Sequence, residues 1–221
     1  MSIKPARRTS SRPYRSPLRE AQAAETREKI MQAARDYLEA KNIRELTLRR
    51  IADLASVSAP TVYAHFPTLD DLVVEFYLWV WPRLGLDVAL PALTELETVP
   101  DRVFQIYDRH ACLLRNLLSR PSWERMREAG WSVHHAAWVE AIGKDLPWQE
   151  PNQVRGAMMA VSTLWAPTTW DWLIGSCGFS PDEARRAARW AIRALIDAMQ
   201  RRAVTPPDSD GASVGLPISA G

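Results

Sequence analysis

An all-α fold follows from three observations. Apolar residues recur at i, i+3, i+4 and i+7 along most of the chain, the spacing that gathers them on one helix face. No convincing period-two run is present. Helix starts are also written into the chain, most plainly at Ser180-Pro181-Asp182-Glu183: an N-cap serine, proline at the first helical position, and a glutamate completing a capping box. With 221 residues the chain can fill one large or two modest domains, each with a core.

The expected organisation is a disordered basic arm over 1–20, a small helical domain over 21–70, a larger helical domain over 71–204 and a disordered tail over 205–221. The arm holds Lys4, Arg7, Arg8, Arg12, Arg15 and Arg19 with three prolines and almost no large apolar residue, so it cannot bury enough surface to fold. It reads either as a solubilising tail or as an arm that follows phosphates or enters a minor groove. A first helix is expected from Ala21 to Ala40, burying Ile30, Ala34, Tyr37 and Leu38. Leu46 closes the loop that follows.

Thr47 to Phe66 organises the rest. Leu48, Ile51, Ala52 and Ala55 form the stripe of a short helix for which Thr47 is the N-cap. Ser56-Val57-Ser58 interrupts it, with Val57 an apolar plug. Ser58 then caps a second short helix, with Pro60 in its first turn and Val62 and Phe66 turned inward. Ala59, Thr61, Tyr63, Ala64 and His65 are left facing outward. Small side chains, hydroxyls and an imidazole on an exposed face suit close approach to a nucleic acid: they let the backbone come near and reach phosphates and base edges.

After Pro67, Thr68 caps a fourth helix with Asp70 and Asp71 in its first turn, where the helix dipole favours acids; Leu72, Phe76 and Trp79 form its buried face, and Trp81-Pro82 stops or kinks it. Pro91 and Pro100 bracket a short helix. A continuous helix is expected over Asp101–Arg120, with Val103, Ile106, Tyr107, Leu113, Leu114 and Leu117 inward. Pro121 to Ala129 follows, ended by Gly130; then Trp131 to Ile142, ended by Gly143. Asn152 to Ile174 reads as one long, very apolar helix with Pro167 inside it. The helix opened at Ser180 runs to about Ala203, with a wide stripe of Trp190, Ile192, Leu195, Ile196 and Met199.

The apolar fraction of 47% and charged fraction of 24% are ordinary for a soluble domain, and the net charge is only +2. Its distribution says more. Residues 1–69 hold 13 Lys and Arg against 7 Asp and Glu, and the remainder 15 against 19. The basic excess therefore lies on the segment with the helix-turn-helix pattern, as phosphate contact requires. Cys112 and Cys177 make neither a disulfide framework nor a metal pattern. No apolar core follows the Arg-rich start and no run approaches a membrane span, so the protein is read as cytoplasmic.

V-S-A-P-T-V-Y-A-H-F-P-T-L-D-D-L, residues 57–72, resembles the recognition-helix signature of the TetR family of bacterial transcriptional regulators, and the match extends from about Thr26 to Tyr77. The resemblance implies a three-helix DNA-binding domain joined through the fourth helix to a helical ligand-binding and dimerisation domain. It implies phosphate contacts from Thr47, Tyr63 and His65, capping and backbone contact from Ser58, and base-edge positions at Ala59, Pro60 and Thr61. Arg44, Arg49 and Arg50 are further phosphate ligands or, alternatively, ordinary solvated arginines. Two departures stand out: Leu69 occupies the usual position of a phosphate-binding lysine, and Ser56 that of a glycine. With Ala59 so small, specificity shifts toward thymine methyls, DNA shape or the arm.

The resemblance also implies a homodimer through helices 152–174 and 180–203, placing two recognition helices on successive major grooves of a palindromic operator in double-stranded DNA. The alternative is that both are core helices of a monomer. Ten tryptophans are many for this length, and most read as core. Tyr107, Trp131, Trp138, Trp165 and Asp171 are the candidate lining of a pocket for a small-molecule effector. Asp171, flanked by Trp165, Trp170 and Trp172, either recognises a ligand or pairs with an arginine across the dimer. His134 and His135 diverge by about 100° on a helix and cannot share a metal, and His110 has no evident partner. No metal site or cofactor is expected. Nucleotide-binding glycine loops, G-x-S-x-G and H-E-x-x-H are all absent from the sequence, so no enzyme is expected. Three readings remain: a dimeric repressor released by a ligand, a helical protein–protein adaptor, or a small-molecule binder that has lost DNA binding.

Overall fold

The computed structural model describes residues 17–86, 92–146 and 150–201, with the side chains of 131–138 and 141 outside that description. The basic arm up to residue 16 and the polar tail from 202 also lie outside it. Every regular element among the described residues is helical.

The N-terminal domain is built on α1 (Pro17–Ala40), α2 (Leu48–Ala55) and α3 (Ala59–His65). α1 already includes Pro17 to Glu20, so the helix extends ahead of the expected Ala21 into residues expected to belong to the disordered arm. Its buried positions include Ile30, Ala34, Tyr37 and Leu38, as the periodicity predicts. Thr47 caps α2, accepting from the Arg50 N–H at 3.1 Å. Ser58 caps α3, accepting from the Thr61 N–H at 3.2 Å. Leu48, Ile51, Ala52, Val62 and Phe66 close the core between them.

Ser56 between α2 and α3 takes φ 54°, ψ 41°. There the Val57 N–H reaches back to the Ala52 carbonyl at 3.0 Å, and Val57 packs against the core as the expected plug. A side chain in this left-handed conformation costs about 1 kcal/mol that glycine does not incur. Ser56→Gly is therefore expected to raise stability by up to about 1 kcal/mol, discounted by the freer unfolded chain. Urea unfolding checks this: a lower midpoint for the glycine variant would contradict it.

α4 (Leu69–Arg83) is capped by Thr68, which accepts from the Asp71 N–H at 3.1 Å. Leu72, Phe76 and Trp79 are buried as expected. The helix stops where Trp81-Pro82 predicts, at Arg83: Pro82 has no N–H for the Leu78 carbonyl, and Arg83 Nη1 donates to the Trp79 carbonyl at 2.9 Å. Gly85, at φ 79°, closes the helix, with the Leu86 N–H on the Trp81 carbonyl at 3.1 Å. Glu28 of α1 ties the helix down, accepting from Trp79 Nε1 at 2.8 Å and pairing with Arg83.

The larger helical region departs from the expected boundaries at four places. Between Pro91 and Pro100 the described chain forms 3-10 turns over Leu93–Thr98, running straight into α5 (Val99–Arg109). The helix expected over 101–120 breaks at His110 (φ −114°, ψ 30°), giving α5 and α6 (Ala111–Leu118). Gly130 does not end a helix: α7 (Trp123–Gly143) passes through it. A Cβ there would sit 2.8 Å from Cε1 of the buried Tyr77 ring, so this glycine serves close packing of α4 on α7. The helix expected over 152–174 is α8 (Pro151–Thr163) followed by α9 (Pro167–Asp171) and a wide turn over Trp172–Ser176. Pro167 starts α9 instead of sitting inside a continuous helix, since an interior proline would forfeit a ladder bond and clash. α10 (Pro181–Gln200) opens on the predicted capping box at Ser180 and Glu183. It packs on α5 and on the turns before it, with Arg185 on Asp108 and Arg189 on Asp101.

Candidate nucleic-acid interface

Val62 and Phe66 anchor α3 from beneath, and this decides which side chains it displays. Tyr63 is 52% exposed, Ala59, Thr61 and His65 are half-buried, and Pro60 and Ala64 are exposed. Ser58 Oγ and Thr61 Oγ1 lie 2.6 Å apart. The Thr61 hydroxyl is thus engaged with the cap, leaving its methyl as the part of the side chain without a polar partner. That favours contact with apolar base edges over hydrogen-bond readout at this position.

The flanking residues complete the surface. Thr47, Arg44, Arg49 and Arg50 are exposed. The Thr47 oxygen accepts from the backbone, and its hydroxyl proton remains available to an outside acceptor such as a phosphate. No ion pair among the described residues engages Arg44, Arg49 or Arg50. Elsewhere arginines are regularly paired: Arg27 with Glu75, Arg120 with Asp70, Arg125 with Asp71. Unpaired guanidinium groups clustered beside one short capped helix leave charge free for phosphates. Leu69, the departure in α4, packs partly buried against the core and offers no polar group.

The domain is held to the helical region by charge at the start of α4. Arg120 and Ser122 donate to Asp70, and the Arg120 guanidinium holds the Asp70 carboxyl below the usual carboxylate range. The Thr68 hydroxyl lowers Asp71 in the same way, with Arg125 adding to it.

The candidate pocket residues fare unevenly. Tyr107 and Trp165 come together, the Tyr107 hydroxyl donating to the Trp165 carbonyl at 3.2 Å. Asp171 accepts from Arg115 Nε at 2.8 Å within the same chain. Trp172, expected beside it, is 64% exposed. The side chains of Trp131, Trp138, His134 and His135 lie outside the described residues. His110 does have a partner: its Nδ1 stands 2.9 Å from Glu39 Oε1 of α1.

Sequence reading missed the aromatic residues that surround Tyr107. Its ring neighbours are Trp81 at 6.4 Å, Phe104 at 5.9 Å and Trp170 at 5.7 Å, while Tyr77 meets Trp81 at 4.5 Å and Trp123 at 6.0 Å. Burial pushes both phenols, Tyr77 and Tyr107, well above their ordinary range, so both stay neutral donors. Trp170 Nε1 donates to Asp108 at 2.9 Å. Among the described residues no group of three or more His, Cys, Asp or Glu side chains is placed to hold a metal, and no helix is long and apolar enough to cross a membrane.

A capped helix-turn-helix with its second helix exposed, carried on a larger helical domain, defines a DNA-binding regulator. Comparison with known proteins gives the kind of N-terminal domain. Residues 30–76 match the family model described as bacterial regulatory proteins, tetR family. Over these residues the chain carries a DNA-binding domain of the TetR kind. The fold is shared with solved structures. A tetR-family transcriptional regulator from Streptomyces coelicolor superposes with TM-score 0.56 at 17% identity, covering 81% of this chain and 88% of that one. A TetR transcriptional regulator from Rhodococcus sp. RHA1 gives 0.57 at 17%, covering 80% and 97%. A TetR variant from Acinetobacter baumannii AYE, solved in complex with minocycline, gives 0.58 at 16%, covering 80% and 98%. No curated protein matches the chain.

Proposed function

We propose that this protein is a homodimeric transcriptional repressor that binds a palindromic operator through α3 and leaves it when a small molecule enters the helical domain. The observation that carries the reading is the α3 face of exposed Tyr63 and half-buried Thr61 and His65, beside Arg44 and Arg49, which have no ion-pair partner among the described residues. On this reading Thr47, Tyr63, His65 and the arginines hold phosphates, Ser58 fixes the helix N-terminus, and Ala59, Pro60 and Thr61 meet base edges.

Dimerisation is supported by the outer face of α10 and the turn before it. Trp190 is 73% and Leu195 40% exposed, and Trp172 and Phe179 add apolar surface nearby in the chain. Exposed tryptophans beside alanines are what a second copy covers. Sedimentation should then give twice the 25.0 kDa chain mass. The effector site is placed among Tyr107, Trp165 and the rings around them, which bind a flat or apolar molecule by stacking. The minocycline complex of the Acinetobacter protein supports an effector of that general kind. Ligand would shift α4, with Tyr77 and Trp81 on its inner face, and so alter the spacing of the two recognition helices.

Fluorescence anisotropy on duplexes from DNA upstream of the coding sequence, across a salt series, tests this. Tyr63→Phe and His65→Ala should each weaken binding to all sequences about equally, and Thr61→Ala should change sequence preference. Micromolar, salt-insensitive binding to every duplex would rule the proposal out. Uniform loss for Thr61→Ala would remove that residue from the base edges.

A further inference from the structure

Asn116 is one of two buried polar side chains recorded among the described residues, and every polar atom of its amide is spent on the other domain. Its Oδ1 accepts from the Ile43 N–H at 2.9 Å. Its Nδ2 donates to the Leu38 carbonyl at 2.9 Å and to the Lys41 carbonyl at 2.7 Å. Those carbonyls belong to the end of α1 and the residue after it; Ile43 begins the 3-10 turn Ile43–Glu45 that carries Arg44 and leads into Thr47. One side chain of α6 therefore terminates α1 and starts the turn bearing the first two DNA-facing groups. At the other end of α6, His110 meets Glu39 at 2.9 Å. The neighbouring Arg115 pairs with Asp171 and lies 5.3 Å from the Trp170 ring centroid.

Three backbone groups near the end of α1 would otherwise need water or another partner, and Asn116 satisfies all three at once. No apolar residue can do this, and a shorter hydroxyl cannot span both sides. From this arrangement, and resting on the DNA-binding reading above, we infer that Asn116 is a positioning residue for operator binding: it fixes the Arg44–Thr47 turn and makes that turn's placement depend on α6. This link runs directly from α6 to the turn ahead of the helix-turn-helix and does not pass through α4.

The test uses the full chain and its operator duplex. Asn116→Ala should weaken operator affinity about tenfold, the scale of one net hydrogen bond. It should also lower the slope of log affinity against log salt by about one, as the Arg44 contact is lost. Val103→Ala, which truncates a buried side chain of α5, the helix on which α10 packs, serves as the stability control. It should lower the melting temperature comparably and leave affinity and slope at the wild-type value, measured well below melting. Equal affinity losses in the two variants, or wild-type affinity in Asn116→Ala, would overturn the inference. Should Asn116→Ala not fold, amide exchange in the wild-type chain decides: Ile43 should be protected and gain protection with operator, and fast exchange indifferent to DNA would overturn the role. A wild-type chain with no salt-dependent operator preference would instead remove the DNA-binding reading itself.

Discussion

Phe66→Ala is expected to lower unfolding stability by about 3–5 kcal/mol, the range for truncating a fully buried phenylalanine. Phe66 ends α3 with its N–H on the Val62 carbonyl at 2.8 Å, and its ring is buried in the core. Arg27 lies 5.7 Å above that ring while pairing with Glu75 of α4. Truncation leaves a cavity under the recognition helix, and the unsupported α3 loses the fixed angle at which it presents Thr61 and Tyr63. DNA affinity should therefore fall even at temperatures where the variant is fully folded by circular dichroism. Chemical denaturation combined with anisotropy tests both parts. A loss under about 1 kcal/mol would show that the site collapses without cost, contrary to the packing described.

Trp170→Ala should cost a similar 3–5 kcal/mol, for a different reason. The indole is almost wholly buried in α9, edge-on to Tyr107, and its Nε1–H donates to Asp108, which Arg185 of α10 also engages. Alanine removes the ring and leaves the carboxylate dependent on Arg185 alone. Trp170→Phe keeps most of the apolar volume and deletes the donor, so its cost should be nearer 1–2 kcal/mol. The ordering of the two variants is the critical result. Should phenylalanine be as damaging as alanine, the hydrogen bond and not the packing would dominate at this position.

Recognition-helix chemistry was legible in the chain because it is local. Thr47, Ser58, Thr68 and Ser180 each cap the helix that their spacing predicts, and each cap bond spans only three residues. The buried stripe of α1 and of α2 follows from periodicity for the same reason. The misplaced boundaries share the opposite property. Gly130 looks like a helix stop until Tyr77, from a distant helix, is seen to need the space. His110 looks partnerless until α1 brings Glu39 beside it. Asp171 suggested a ligand or a second subunit; Arg115 of α6 pairs with it within the chain.

Asn116 is the instructive case. A polar residue among Leu113, Leu114 and Leu117 breaks an apolar stripe and could have been flagged as a buried amide in need of partners. Which backbone groups it serves could not be read, because they lie more than seventy residues away. The sequence by itself determined the helical class, the capped helix-turn-helix with its outward Thr-x-Tyr-x-His face, and the basic bias of the N-terminal third. Those rest on bonds and spacings within a turn or two of helix. Only the tertiary structure decided where the long helices break, which rings surround Tyr107, and that α6 fastens the turn ahead of Thr47, because packing and buried hydrogen bonds join residues that no local pattern relates.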